Sequence, residues 1–160
     1  MWLTTFNALS PADAEAELTV CCASPEWAQR LVRARPFHSV AALCDQADRV
    51  LATLDEAEID RALAGHPRIG ERSSHASSRR EQAGVATAEA SVLAGLSTGN
   101  QAYEQRFGQV YLVCADGRSG AELLAVLRRR LANDPVTERG VLRAELGRIN
   151  RIRLGRMVRA

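Results

Sequence analysis

Helix-start signals recur along this chain at short intervals and leave little room for anything but helices. Ser10-Pro11, Ser24-Pro25 and Asp134-Pro135 each put an N-cap residue ahead of proline at the first helical position. Ser39, Asp55 and Ser119 open further runs without a proline, and Ser77 or Ser78 opens another. Behind each signal the apolar residues return at helical spacing. Val40, Leu43, Ala47, Val50, Leu51 and Leu54 form one stripe, and Leu123, Leu124, Leu127 and Leu131 form a second, with Arg128 to Arg130 mostly outward. Asp13 and Glu15 are expected in the first turn of the first of these helices, where a positive end favours them. Gly65 and Pro67 stop the helix that carries Ile59 and Leu63. The fifth helix is expected to run through Glu81, Val85, Val92 and Leu96, followed by a short one over Asn100 to Phe107 that ends at Gly108.

One stretch departs from this period. "VYLVCA", Val110 to Ala115, is short, apolar and β-prone, yet the chain offers it no partner strand. It reads as extended chain crossing a helical core. The expected fold class is therefore all-α, a single-domain bundle of about eight helices over residues 1–160, with one short extended segment near residues 110–116.

Composition removes several functions. All 21 basic residues are arginine, because the chain has no lysine, so neither a Schiff-base lysine nor a phosphate-loop lysine is possible. The formal charge of +2 gives no strong field for nucleic acid. Cys21, Cys22, Cys44 and Cys114 form no C-x-x-C pair, so no metal site is expected. "MWLTTFNALSPADAE" has neither the basic start nor the apolar run of a signal peptide, and no stretch reaches the ~20 apolar residues of a membrane span. A cytoplasmic protein with reduced thiols and no membrane partner is expected.

A few residues break the amphipathic pattern. Leu142, Leu146, Ile149 and Met157 share one stripe of the last helix, and Arg153 falls in the middle of it, whereas Arg151 lies opposite. A charged group on a core face is costly unless paired. Arg153 either snorkels or pairs with a carboxylate, or faces a pocket and receives an anion. His66 stands between Gly65 and Pro67 at a stiffened corner; it is a capping or surface residue, or an oriented acid and base. Glu81 and Gln82 belong to the first turn of the fifth helix, where Glu81 can close a capping box with Ser77 or Ser78. His38 beside a cap and His75 in a Ser-rich loop have weaker claims.

The motifs together resemble one family. "GHPRIG" (Gly65 to Gly70), "SSRREQ" (Ser77 to Gln82), "YEQRFG" (Tyr103 to Gly108), "RRLANDPVTE" (Arg129 to Glu138) and "INRIRL" (Ile149 to Leu154) occur in the order of the 2-oxo-4-hydroxy-4-carboxy-5-ureidoimidazoline (OHCU) decarboxylases, preceded by "CCASPEW" and "RARPF". The likeness runs from about Phe6 to Leu154. It implies an all-helical, often dimeric enzyme of urate degradation that needs no cofactor and forms (S)-allantoin. It also implies a catalytic role for His66 and substrate binding by Glu81, Gln82 and Arg153. Pro67, Ser78 and the backbone of Val113, Cys114, Ala115, Asp116 and Gly117 would add further substrate contacts. Two other readings predict different behaviour: an arginine-rich helical module for nucleic acid, and an inactive scaffold relative.

Overall fold

The computed structural model describes residues 1–71 and 76–160. Among them are nine helices: α1 (Leu3–Ala8), α2 (Pro11–Cys21), α3 (Pro25–Arg33), α4 (Val40–Ala52), α5 (Glu56–Ala64), α6 (Ala76–Glu81), α7 (Ala90–Phe107), α8 (Gly120–Arg130) and α9 (Pro135–Met157). The described residues contain no β-strand, only an isolated bridge between Trp2 and Arg159. His75 lies outside the described residues. The contacts divide the chain into two compact units, Met1–Gly65 with Gly147–Ala160, and His66–Leu146.

In the first unit the sequence signals act as read. The side chains of Ser10, Ser24, Ser39 and Asp55 each accept the backbone N–H three residues on, at 3.1, 3.1, 3.0 and 2.8 Å. Only Asp13 of the two early acids falls in the first turn of α2. The core is built on Phe6, Leu18, Trp27, Leu31, Leu43 and Ile59, all fully buried, each worth roughly 1.5–3 kcal/mol of apolar transfer for the aliphatic members. Trp27 keeps its indole N–H satisfied by donating to the Ala47 carbonyl at 3.1 Å. Helix α1 has no side-chain cap and so no local start signal; burial of Leu3 and Phe6 accounts for it instead. The terminal amine donates to the Met157 carbonyl at 2.7 Å and ties the N-terminus to the end of α9.

The second unit corrects the expected helix boundaries. The fifth helix does not run to Leu96: α6 ends at Glu81, turns follow, and α7 begins at Ala90. Consecutive three-residue turns, such as Val85 N–H to the Gln82 carbonyl at 2.9 Å, replace the helical ladder. The cause is tertiary. A Cβ on Gly84 would lie 2.2 Å from the Arg118 carbonyl, so the backbone passes too close for an uninterrupted helix with side chains. Conversely, "LSTGNQ" is not a break but the middle of α7. Gly95 and Gly99 let α7 settle on α8, where a Cβ would stand 2.8 and 2.5 Å from Cδ2 of Leu124 and Leu127. Helix α8 starts with a full capping box between Ser119 and Glu122.

The core of this unit joins Ile69, Val85, Leu96 and Tyr103 to Tyr111, Val113, Ala115, Leu123, Leu124 and Leu127. Residues 111–115 cross it as extended, buried chain, as expected. Arg130 corrects another expectation. Instead of facing outward with Arg128 and Arg129, it is 5 % exposed and paired with the fully buried Glu138.

Candidate active site

The loop after α5 begins at Gly65, whose φ of −88° makes it a helix cap but not a left-handed one. His66 and Pro67 follow, half-buried, with the imidazole Nε2 enclosed. Residues 68–71 are fastened at several points, all within the second unit. Ile69 is buried in the core, and its carbonyl accepts from Asn100 Nδ2 at 2.9 Å. Gly70 has φ +89°, a conformation that L side chains rarely adopt. Its N–H donates to Gln82 Oε1 at 2.9 Å, while Gln82 Nε2 reaches the Arg68 carbonyl at 3.4 Å. Arg68 adds a bidentate pair with Glu104 at 2.5 and 2.8 Å, and Glu104 is held below the usual carboxylate range by that hydrogen bond. Both groups are partly exposed, so the pair contributes little stability on its own. A pocket of about 130 Å³ borders this loop, lined by Arg68, Ile69, Gly70, Leu93, Ser97 and Asn100, and contains none of the residues singled out from sequence.

Glu81 and Gln82 do not occupy a first helical turn. Glu81 is the last residue of α6, 9 % exposed, and Gln82 lies in the turn beyond it. Ser77 and Ser78 are inside α6, so the capping-box explanation of Glu81 is lost. Ser78 is buried, and its carbonyl accepts the Gln82 N–H at 3.0 Å. The structure thus joins Gln82 to the His66 loop through two hydrogen bonds and keeps Ser78 and Glu81 on the short helix that precedes it.

The Val113–Gly117 backbone is fixed as well. The Cys114 N–H donates to Glu145 Oε2 at 2.8 Å, and the Ala115 carbonyl accepts the Arg118 N–H at 3.0 Å, closing a turn in which Gly117 has φ +74°. Burial pushes the Cys114 thiol up, and the same holds for Cys21, Cys22 and Cys44. Thiols so placed are poor nucleophiles.

Arg153 belongs to the first unit. It is half-buried, and its Nη1 donates to the Cys21 carbonyl at 3.1 Å, at the end of α2. One turn earlier, the buried Asn150 amide lies beside the Cys22 thiol. Arg151, read as an ordinary surface residue, pairs with Asp45 and Asp48 at 2.7 and 2.6 Å in the solvent.

Sequence reasoning missed Arg130, Glu138 and Glu145, which with Glu81 are buried charged residues of the second unit. Glu138 Oε1 accepts from Arg130 and from the Tyr103 hydroxyl, and its Oε2 from Asn133 Nδ2 at 2.8 Å. Arg130 also stands 4.9 Å from the centre of the Tyr111 ring. A signal was present: at ~100° per residue Arg130 falls about 20° from Leu123, on the apolar stripe of its helix. Glu138 and Glu145 share the stripe of Leu142 in the same way. Burying Arg130 also takes the last of the three consecutive arginines, Arg128 to Arg130, out of reach of a nucleic-acid partner.

Among the described residues no helix is long and apolar enough to cross a membrane, and no group of three or more His, Cys, Asp or Glu could hold a metal ion.

Comparison with known proteins places this arrangement in context. A family model described as OHCU decarboxylase matches residues 7–155, through both units. The uric acid degradation bifunctional protein TTL of Arabidopsis thaliana is 29% identical over 151 residues, covering 89% of this chain and 47% of that protein. The 2-oxo-4-hydroxy-4-carboxy-5-ureidoimidazoline decarboxylase of Amia calva is 36% identical over 81 residues, 49% of this chain and 46% of that one. The chain therefore spans about half the length of the curated relatives it matches. A crystal structure of an OHCU decarboxylase in the presence of (S)-allantoin superimposes with a TM-score of 0.79 at 28% identity, covering 88% of this chain and 95% of that one. A crystal structure of (S)-allantoin synthase gives the same TM-score at 15% identity, covering 99% of this chain and 54% of that one, and shows likeness of fold alone.

Proposed function

Because this chain belongs to the OHCU decarboxylase family, we propose that it converts OHCU to (S)-allantoin, a cofactor-independent carboxy-lyase step in urate degradation. The observation that carries the reading is the family match over residues 7–155, inside which His66, Glu81, Gln82 and Arg153 all stand. On this reading both units serve one functional domain.

The chemistry needs little from outside the substrate. Its carboxylate sits on a ring carbon that also bears a hydroxyl and adjoins a ring C=N bond. When the C–C bond to the carboxylate breaks, its electron pair forms a ring C=C bond. The imine π pair moves onto nitrogen, which takes a proton, and CO2 leaves. The hydroxyl then gives up its proton as it becomes the ring carbonyl, and the neighbouring carbon takes one on a single face. The imine is the electron sink that an added cofactor supplies elsewhere.

His66 is assigned the proton movements at the hydroxyl and the ring carbon. Its place at the start of a fastened loop supplies the fixed orientation a general acid or base needs. Glu81 and Gln82 are assigned hydrogen bonds to the ureido and ring amide groups, with Pro67 and Ser78 shaping the site. Gln82 would then orient both the His66 loop and the ligand. Arg153 is assigned a carbonyl or ureido oxygen rather than the carboxylate, since gripping the departing group would stabilise the ground state and slow the reaction. A homodimer and a cytoplasmic location complete the proposal.

Freshly generated OHCU provides the test. Wild type should accelerate its disappearance, and His66→Ala, Gln82→Leu and Arg153→Leu should each lose most of that acceleration while remaining folded. A wild type that leaves the spontaneous rate unchanged contradicts the proposal. Binding to nucleic acid that weakens steeply with salt would favour the rival module.

A further inference from the structure

Extended chain inside a helical unit raises a hydrogen-bonding problem. Both edges of residues 111–115 carry backbone polar groups, and a buried N–H or C=O left without a partner is costly. No neighbouring strand is present among the described residues to satisfy them. Two charged side chains take the strand's place along one edge. From α8, Arg130 Nη1 donates to the Leu112 carbonyl at 2.7 Å. From α9, Glu145 Oε2 accepts the Cys114 N–H at 2.8 Å. Residues two apart in extended chain direct these groups to the same edge. The side chains alternate accordingly: Tyr111, Val113 and Ala115 enter the unit's apolar core cluster, whereas Leu112 and Cys114 do not.

The frame that holds this edge is itself fixed. Glu138 binds the Arg130 guanidinium through Nε at 2.8 Å and through Nη2, and it also takes the Tyr103 hydroxyl and the Asn133 amide. Arg130 and Glu145 are 5 % and 6 % exposed, so neither swings out to solvent without breaking the core.

We infer that Arg130 and Glu145 are positioning residues for the ligand: by holding the Leu112 and Cys114 edge, they turn the Val113 and Ala115 edge toward it. This rests on the reading of Val113 to Gly117 as substrate-contacting backbone. It sharpens that reading, because the Cys114 N–H is committed to Glu145 and the Asp116 N–H faces the Cys114 sulfur. The amides assigned to the ligand are then those of Val113, Ala115 and Gly117.

The test uses the full chain, with kinetics on OHCU and amide resonances followed during titration with (S)-allantoin. Glu145→Leu removes the acceptor for Cys114 and should raise KM about tenfold with a much smaller change in kcat, the pattern of lost uniform binding. Glu145→Gln keeps a carbonyl acceptor and should restore most of the loss, to within about threefold of wild type. In wild type, (S)-allantoin should shift the Val113, Ala115 and Gly117 amides and leave Cys114 nearly in place. If Glu145→Leu does not fold, these shifts decide the matter, together with a comparison of Glu145→Gln and Arg130→Lys. A folded Glu145→Leu with wild-type KM and kcat, or a largest shift at Cys114, overturns the inference while the decarboxylase reading stands. A wild type inactive on OHCU overturns both.

Discussion

Replacing Glu138 by alanine should be among the most damaging single changes in this protein. The side chain is fully buried, and its two oxygens serve three groups: Arg130, Tyr103 and Asn133. Burial is the largest single influence on Arg130 and works against its charge; the hydrogen bonds it donates to Glu138, with the charges of Glu138 and the two tyrosines, together outweigh it, so the net shift of the guanidinium is upward. Without Glu138 that cation stays in the core with the Leu112 carbonyl but no carboxylate. Removing one partner of a buried pair costs roughly 3–5 kcal/mol, a large part of the ~5–15 kcal/mol that a domain has. At about 2–4 °C per kcal/mol for a chain of this length, Tm should fall by some 6–20 °C. Thermal unfolding followed by far-ultraviolet circular dichroism measures it directly. The double replacement Arg130→Met with Glu138→Leu removes the stranded charge along with its partner, and should recover much of the loss. A Glu138→Ala protein within about 1 kcal/mol of wild type, the range of surface pairs, would refute the claim that this carboxylate is the centre of the buried network.

Other outcomes follow from the same geometry. Gly84→Ala drives a Cβ to 2.2 Å from the Arg118 backbone and should cost about 1–3 kcal/mol or more in urea unfolding, whereas Gly140→Ala in open space should gain roughly 0.5–1 kcal/mol from helix propensity. Burial pushes Cys21 from 9.0 to about 12, and Tyr103 rises from 10.0 to about 12 through burial and its bond to Glu138. Both groups favour the protonated folded state, so their contribution is intact below about pH 9 and is lost as pH rises toward about 12. The urea midpoint should fall across that window, and Cys21→Ala should flatten the fall; an unchanged midpoint contradicts it. Glu104→Ala should change stability by less than about 1 kcal/mol despite its bidentate geometry, because the Arg68 pair is partly exposed.

What could be read from the sequence was local, and what could not was tertiary. Ser10, Ser24, Ser39, Asp55 and Ser119 announce their helices because a cap is made within four residues. The break after Glu81 depends on Arg118, distant in the chain, and Gly95 and Gly99 look like helix breakers until Leu124 and Leu127 are seen against them. Arg130 was misjudged by company: three consecutive arginines suggest a solvated face, although its angular position matches Leu123. At the candidate site, the corner at His66 and the inward bias of Arg153 were legible from Gly-His-Pro and from the stripe of α9. The clasp of Gln82 on Gly70 was not, because it joins residues 12 apart in the chain through a side chain that no local rule directs there.

The most direct test is the handedness of the product. OHCU prepared immediately before use loses CO2 spontaneously to racemic allantoin, so circular dichroism during the reaction separates catalysis from background. Wild type is predicted to develop the signal of (S)-allantoin rapidly, and His66→Ala, still folded, to give a slow reaction without net optical activity. Racemic product at the spontaneous rate from folded wild type, or an undiminished signal from His66→Ala, would contradict the assignment of His66 as the residue that moves the proton.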